Sequence, residues 1–155
     1  MFIILSLSQT SKVAAVFVFA IVDPKDRLIF ISDLSSKSAA REDPPHLDEF
    51  VLFAALDMVD RAKRTSTDAY LKVVDRFNDL LVSALAPISG IKLLLLHKVG
   101  GTLGSGEEVI RIFLQEAYTL YVRLLGNHFY ELDSYIKSEK FESIIKDLGR
   151  KLLTN

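Results

Sequence analysis

The stretch "LLVSALAPISGIKLLLLH", residues 80–97, decides the fold class of this chain. It consists of two apolar runs that are separated by Pro87 and Gly90. A buried helix and a pair of buried strands can both contain such runs, and hydrophobic periodicity alone does not distinguish them. Because proline and glycine interrupt helices and are common in turns, we predict two consecutive antiparallel strands joined by a turn.

Three further strands are predicted from similar apolar runs around this stretch. "YLKVVDRF", residues 70–77, precedes it and is separated from it by Asn78 and Asp79. Nearer the N-terminus, "VFVFAIV" and "LIFISDL", residues 16–22 and 28–34, flank the turn sequence "DPKD" and predict a β-hairpin. The strands therefore form a hairpin and, later in the chain, a three-stranded meander.

Three amphipathic helices are predicted between and after the strands. The first begins near Asp43, the candidate N-cap, with Pro44 as its first helical residue, and ends near Arg64. The second spans residues 107–125, and the third follows Ser138, another candidate N-cap. The order of two strands, a helix, three strands and two helices predicts an α+β fold with one antiparallel sheet sandwiched by helices.

Apolar residues at helical spacing define the face that each helix is expected to bury. In the first helix these residues are Leu47, Val51, Ala54, Ala55, Met58 and Ala62. In the second helix they are Val109, Ile110, Phe113, Leu114, Ala117, Leu120, Tyr121 and Leu124. In the third helix they are Phe141, Ile144, Ile145, Leu148 and Leu152.

Length and composition indicate a single domain in a reducing environment. The chain has 155 residues, and its net charge of −1 implies no general attraction to nucleic acid or to an anionic membrane. Hydrophobic residues make up 50% of the chain, which hints at surface that contacts a partner. The absence of cysteine excludes disulfides and thiolate zinc sites and fits a cytosolic compartment.

The apolar N-terminus is interpreted as an extension followed by a strand. Residues 13–22 are too short to span a bilayer and stop at Asp23 and Pro24. A secretory signal is the alternative, but no positive charge precedes the first apolar stretch, and "SQTSK" interrupts the apolar residues. We therefore expect one domain over residues 1–155, in which deletion of the N-terminal extension, residues 1–12, leaves the domain folded.

A glycine-rich segment, "HKVGGTLGSGEEVIRIF" at residues 97–113, has the strand, loop and helix layout of a phosphate-binding site. A Walker-type loop requires Lys and then Ser or Thr after its last glycine, whereas Glu107 and Glu108 follow Gly106 here. Two carboxylates in the first helical turn also repel a phosphate. We therefore predict a loop at residues 98–106 that binds no nucleotide.

The sequence shows no catalytic or metal-binding constellation. His46, His97 and His128 lack another ligand at metal-binding spacing on a shared element. His97 is interpreted as a hydrogen-bonded histidine at the end of a strand. Adjacent carboxylates in a helix do not face each other, so they do not form an acid–base pair. We expect a protein that is not an enzyme, holds no cofactor or metal and binds no nucleic acid.

The first helix carries a second apolar strip on the side opposite its predicted core face. Phe53 and Leu56 lie there among Glu49, Asp57 and Asp60. An apolar centre with a polar rim is typical of a docking surface, so Phe53, Leu56, Asp57 and Asp60 are the candidate partner-binding residues. Two alternatives stay open: another part of the chain covers the strip, or Phe53 is a single exposed aromatic residue.

Several segments, in the same order, resemble the sedlin family of small subunits of the TRAPP vesicle-tethering complex. They are "AALDMVD" at 54–60, "YLKVVDRF" at 70–77, "LLLLH" at 93–97 and the "N-FY…I-S--F" pattern at 127–141, within a match over about residues 16–153. The resemblance implies a longin-like fold. Such a fold has one five-stranded antiparallel sheet with one helix on one face and two on the other.

The resemblance also implies a role in vesicle transport. Family members are non-catalytic scaffold and adaptor subunits, and the whole complex promotes exchange on a Rab GTPase in ER-to-Golgi and Golgi transport. The implied partners are other TRAPP subunits and, indirectly, the Rab GTPase, with no direct membrane insertion. The implied location is cytoplasmic and peripheral at ER–Golgi and Golgi membranes through the complex. Asp57, within "AALDMVD", matches the family on the candidate docking helix.

Two other functions stay open at the level of sequence. Another longin-type trafficking module, such as a SNARE regulatory domain or an adaptor small chain, would share the fold, but no heptad SNARE segment follows the domain in these 155 residues. A small enzyme or nucleotide binder would use the glycine-rich loop. A thermal-shift screen with nucleotides distinguishes this case, since a ligand at 100 times its dissociation constant stabilises by about 2.7 kcal/mol.

Overall fold

The computed structural model describes residues 16–35, 47–98, 106–127, 130–132 and 134–153. Several features considered above lie outside these residues: the extension at 1–12, the helix start at Asp43 and Pro44, His46, residues 99–105 of the glycine-rich loop, and His128. Among the helices that are described, none combines the length and the apolar composition that a membrane span requires.

Five strands form one antiparallel sheet, as predicted. They are β1 (Phe17–Val22), β2 (Leu28–Asp33), β3 (Tyr70–Phe77), β4 (Leu80–Leu85) and β5 (Lys92–Lys98). Their order across the sheet is β2-β1-β5-β4-β3, and every neighbouring pair is antiparallel. The nearly continuous apolar sequences of β1 and β5 agree with their interior positions, because a strand that is covered on both faces has no solvent-facing side.

The stretch at residues 80–97 contains β4, β5 and the turn between them. Gly90 has a φ of +88°, and its N–H donates to the Pro87 carbonyl at 3.1 Å. Glycine adopts a positive φ without the steric cost that a side chain imposes, so Gly90 allows the chain to reverse here. The prediction of two strands is confirmed, and the alternative of a buried helix is wrong.

Four helical segments pack on the sheet. They are α1 (Leu47–Ala54), α2 (Leu56–Thr65), α3 (Gly106–Leu125) and α4 (Glu139–Leu152). α1 and α2 correspond to the single first helix of the prediction, with a local departure at Ala55, where φ is −73° and ψ is −16°. The helical hydrogen bonds continue through this residue: Ala55 N–H donates to the Val51 carbonyl, and Val59 N–H donates to the Ala55 carbonyl.

α3 and α4 cover one face of the sheet through aromatic contacts. Phe113 of α3 packs edge to face against Phe19 of β1, with ring centroids 5.3 Å apart. Phe141 of α4 packs in the same way against Phe30 of β2, at 5.0 Å. Edge-to-face packing of buried rings stabilises the core beyond the burial of their area, and it fixes both helices on this face.

The N-cap predicted for α4 is confirmed, and its predicted core face is confirmed in part. Ser138 Oγ accepts a hydrogen bond from the Phe141 N–H at 3.1 Å, which satisfies one of the free donors at the helix start. Phe141 and Ile145 are buried in the core, whereas Ile144, at the side of the predicted stripe, is 37% exposed.

α1 and α2 cover the opposite face, and the side that they bury agrees with the predicted core face only in part: Val51 and Ala55 are buried as predicted. The buried side packs on alternating apolar residues of β1, β4 and β5, and it consists of Val51, Leu52, Ala55, Leu56 and Val59. Ala54 and Met58 face solvent and Ala62 is half-buried, so the predicted core stripe is wrong at these positions. The helix is apolar on more than one side, and the sheet buries the side with the larger Leu52 and Leu56.

Candidate docking surface

The solvent-facing side of α1 and α2 carries three large apolar side chains. Phe50 is 61% exposed, Phe53 is 42% exposed and Met58 is 37% exposed, and the Asp57 side chain is exposed beside them. Residues 50, 53 and 57 are three and four positions apart, so they lie on one side of the helical stretch. We call Phe50, Phe53, Asp57 and Met58 the outer strip.

Both aromatic rings of the outer strip have apolar side chains of the sheet as neighbours. The Phe50 ring packs edge to face against Phe77 of β3, with centroids 6.3 Å apart and ring planes at 78°. Phe53 lines a shallow crevice together with Leu28 and Ile31 of β2. Side chains that are already held in position lose less conformational entropy on binding, which favours their use as anchors in an interface.

Carboxylates border the outer strip. Glu49 lies in the first turn of α1, four positions before Phe53, and is half-buried. The Asp57 carboxylate forms no ion pair or hydrogen bond with any residue in the described part of the chain. A free carboxylate beside exposed rings is complementary to a partner that brings an apolar surface and a basic group.

Leu56 does not belong to this surface, contrary to the prediction. It is 6% exposed and packs in the core between α2 and the sheet. The error follows from the choice of helical face: once the sheet covers the side that carries Leu52, Leu56 lies one turn further along that same buried side. A partner therefore cannot contact the Leu56 side chain without opening the core.

Asp60 is only partly accessible, because it pairs with a buried lysine. Its carboxylate lies 3.2 Å from Nζ of Lys92, the first residue of β5, and Lys92 also pairs with Asp26 in the turn between β1 and β2. Burial alone would lower the pKa of Lys92, but hydrogen bonds and charges from Asp26 and Asp60 outweigh it and raise the pKa. The ammonium ties α2 to the sheet and thereby orients Asp57, about one turn earlier.

Sequence reasoning missed three exposed apolar residues: Phe50, Met58 and Phe77. Phe50 precedes Phe53 by three positions, so helical spacing contained the signal for it once Phe53 was placed on the outside. Met58 was assigned to the core because the predicted stripe, which shares Val51 and Ala55 with the buried side, continued to Ala54 and Met58 instead of Leu52 and Leu56. Phe77 belongs to a strand that is distant in sequence, so no local pattern indicates its contact with Phe50.

A buried polar cluster lies on the α3 side of the sheet. His97 Nε2 is 2.8 Å from Ser83 Oγ, and the nearby Tyr70 hydroxyl donates a hydrogen bond to the backbone carbonyl of Glu107 at 3.4 Å. Burial lowers the pKa of His97 to about 4, so the ring is neutral near pH 7 and shares one hydrogen bond with the Ser83 hydroxyl through Nε2. The pKa of Tyr70 is raised to about 12, mainly by burial and secondly by the negative charge of Glu107.

This cluster supports the fold and offers no reactive site. Ser83 is 1% exposed and His97 is 8% exposed, so a substrate does not reach the pair. The interpretation of His97 as a hydrogen-bonded strand-end residue is confirmed. In the described ranges of the chain, no group of three histidine, aspartate or glutamate side chains is placed to hold a metal ion.

The first turn of α3 is acidic, as expected from the end of the glycine-rich segment. Gly106 is the first residue of α3, and Glu107 and Glu108 follow it and are exposed. A hydrogen bond from Arg111 lowers the pKa of the Glu108 carboxyl group. Two carboxylates therefore occupy the first turn of α3, where a helix N-terminus would otherwise attract a phosphate. That the segment binds no nucleotide stays a prediction.

Comparison with known proteins gives matches over most of the chain. The family model described as Sedlin matches residues 21–151. The chain is 38% identical over 141 residues to a Caenorhabditis elegans protein named probable trafficking protein particle complex subunit 2, covering 89% of the chain and 96% of that protein. It is 35% identical over 139 residues to the Drosophila melanogaster protein of the same name, with 88% and 96% covered. It is also 28% identical over 136 residues to the transport protein particle 20 kDa subunit of Schizosaccharomyces pombe, with 86% and 96% covered.

Proposed function

Because the chain belongs to the sedlin family, we propose that it is a non-catalytic scaffold and adaptor subunit of the TRAPP vesicle-tethering complex. The names of its relatives as subunits of trafficking protein particle complexes support this assignment. The longin-like arrangement of one sheet between helices is compatible with it. The protein therefore acts by contact with other subunits.

The outer strip is the observation that carries the proposal. Soluble monomers seldom expose several large apolar side chains next to one another, and such patches commonly mark protein interfaces. The Phe50 ring packs against Phe77, Phe53 lines a crevice beside β2, and Asp57 is free of partners within the described residues. We infer that another TRAPP subunit covers this strip with an apolar surface and places a basic group opposite Asp57.

The finer assignment concerns the transport step. The subunit supports nucleotide exchange on a Rab GTPase by the whole complex, and it contacts the Rab only indirectly. It acts in ER-to-Golgi and Golgi transport, as a cytoplasmic protein that is peripheral to these membranes through its partners. The resemblance of segments such as "AALDMVD" to the sedlin family supports this part of the proposal.

The first test of the proposal is purification of the tagged full chain from cells of its own organism. Mass spectrometry of the co-purifying proteins should identify other TRAPP subunits in stoichiometric amounts. A chain that is purified without any of these subunits would contradict the adaptor function.

The second test locates the surface. Phe53→Ser combined with Asp57→Arg removes an anchor and reverses a charge, so the recovered TRAPP subunits should fall at least about tenfold. The matched control is Val122→Ser combined with Glu116→Arg on the exposed side of α3, which should retain normal recovery. Equal recovery with both double variants would show that the outer strip is not the contact, whereas membership of the family would stand.

A further inference from the structure

The end of α2 combines positive charges with hydroxyl groups. The sequence there is "RAKRTSTD", residues 61–68. The cations are Arg61, Lys63 and Arg64, and the hydroxyl residues are Thr65, Ser66 and Thr67. All six side chains are exposed, and α2 ends at residue 65 within this run.

The three cations have no charged partner in the part of the chain that the structure describes. By contrast, the guanidinium groups of Arg27, Arg111 and Arg150 each pair with a carboxylate nearby. The positive charge before Thr65 is therefore available to an acidic surface of another protein. Protein kinases that select substrates by charge present such a surface to the residues that precede the acceptor.

Of the three hydroxyl residues, Ser66 has the backbone conformation that makes its side chain most accessible to a kinase. It is the first residue after α2, and its φ of −110° and ψ of 140° are those of an extended chain. Its hydroxyl bonds only locally, accepting from the Asp68 N–H and donating to the Asp68 carbonyl, both at 3.1 Å. Thr65, in contrast, belongs to the helix and donates its hydroxyl to the Ala62 carbonyl at 3.2 Å.

We propose that Ser66 is a phosphorylation site for a serine/threonine kinase that recognises basic residues two and three positions before the acceptor. Arg64 and Lys63 occupy these positions. In the reaction, Ser66 Oγ attacks the γ-phosphorus of Mg²⁺-bound ATP, the new Oγ–P bond forms and the bond from phosphorus to the ADP oxygen breaks. The hydroxyl proton passes to the catalytic base of the kinase, and ADP leaves.

Phosphorylation changes the local charge by a large amount. A phosphoserine carries about −1.5 to −2 charges near pH 7, next to the three cations of residues 61–64. The phosphate lies beside the C-terminal end of α2, where the helix dipole disfavours an anion, so Lys63 and Arg64 are the groups that offset this effect. Phosphorylation therefore lowers the net positive charge at the C-terminal end of α2.

The direct test is phosphorylation of the purified full chain in vitro. The protein is incubated with Mg²⁺-ATP and the catalytic domain of a kinase with basic specificity, and trypsin then releases the peptide of residues 65–72. Fragmentation mass spectrometry should place one phosphoryl group on Ser66. An unmodified peptide, or a phosphoryl group on Thr65 or Thr67 instead, would overturn the proposal.

Variants separate the acceptor from the recognition residues. Ser66→Ala should lose the phosphoryl group. Lys63→Glu combined with Arg64→Glu retains Ser66 as the acceptor. It should lower the rate of phosphorylation at least about tenfold, because the acidic kinase surface repels the two new carboxylates. Lys140→Glu combined with Lys151→Glu, on the exposed side of α4, is the charge-matched control and should react at the original rate. Equal rates for both charge-reversed proteins would contradict the recognition mechanism.

Discussion

At the scale of single residues, two buried serines on the α3–α4 face of the sheet differ in their environments. Ser83 Oγ shares a hydrogen bond with His97 Nε2, whereas Ser32 Oγ is buried and has no hydrogen-bond partner among the described residues. A buried hydroxyl group without a partner costs free energy, and one that satisfies a buried ring nitrogen stabilises the fold. The same residue type therefore has opposite effects on stability at the two positions.

Substitution by alanine should reveal this difference. Ser32→Ala should raise the free energy of unfolding by up to about 1 kcal/mol, because it removes an unsatisfied hydroxyl. Ser83→Ala should lower it by roughly 1–3 kcal/mol, because the buried His97 Nε2 loses its hydrogen-bond partner. Urea unfolding of both variants measures the two changes, and each variant is the control for the other. If Ser32→Ala lowered the free energy of unfolding as much as Ser83→Ala does, the proposed difference between the two environments would be wrong.

The buried ring of His97 predicts a fold that becomes less stable in acid. Its folded-state pKa of about 4 lies below the ordinary value of 6.5, so above pH 6.5 the ring is neutral in both states and its full contribution is present. As the pH falls from 6.5 towards 4, the unfolded chain takes up a proton that the folded chain does not bind, and stability decreases. The total decrease is roughly 3 kcal/mol, at 1.36 kcal/mol for each pKa unit.

Replacement of this histidine tests the assignment. His97→Leu should remove most of the decrease between pH 6.5 and pH 4, because leucine does not titrate. Urea unfolding of the variant and the unmodified chain at successive pH values gives the free energy of unfolding of each. The difference between the two curves isolates the contribution of His97 from that of the carboxylates that titrate in the same range. Curves that fall in parallel for the two proteins would show that another group causes the acid sensitivity.

At the scale of elements, the sheet determines which side of α1 and α2 is buried. Leu56 and Phe53 are three positions apart, yet Leu56 packs in the core and Phe53 is 42% exposed. The helix has apolar residues on both sides, so helical spacing alone supports either orientation. The ion pairs of Lys92 with Asp26 and Asp60 join α2 to the sheet and to the β1–β2 turn in the observed orientation.

This orientation predicts unequal costs for truncation of the two side chains. Leu56→Ala should lower the free energy of unfolding by about 2–5 kcal/mol, because it leaves a cavity in a packed core. Phe53→Ala should lower it by less than about 1 kcal/mol, because much of the ring is already in water. Thermal unfolding of the two variants is the measurement. A larger loss with Phe53→Ala would contradict the assignment of Phe53 to the outer strip.

At the scale of the whole molecule, the described residues contain two apolar cores, one on each face of the sheet. β1 pairs on both sides, with β5 over residues 17–22 and with β2 over residues 18–22. Both edges of β1 are therefore already hydrogen-bonded to neighbouring strands, so β1 needs no further strand from the N-terminal extension, residues 1–12.

A chain that starts at Val13 should therefore fold like the full chain. Its circular dichroism spectrum and its thermal transition should match those of the full protein, because the pairs and cores above are retained. The Leu56→Ala variant serves as a control that is expected to shift the transition. Loss of the cooperative transition in the shortened protein would show that residues 1–12 belong to the domain.

Strands, helices and much of the topology were predictable because local signals agree with one another. The apolar run of β5, the Pro87–Gly90 turn and the Ser138 cap each act within a few residues. The candidate surface was predictable only in part. Phe53 and Asp57 are exposed as expected, but the exposure of Phe50 and the burial of Leu56 depend on how the helix lies on the sheet.

By itself, the sequence determined the order of strands and helices, the α+β class and the absence of a Walker motif, because hydrophobic spacing and turn residues act locally. Only the tertiary structure decided which helical side is buried, that Phe77 supports Phe50, and that Lys92 engages Asp60. These choices depend on groups that are far apart in the chain. Their energies arise only when the sheet removes apolar area and charge from water, so no local pattern specifies them.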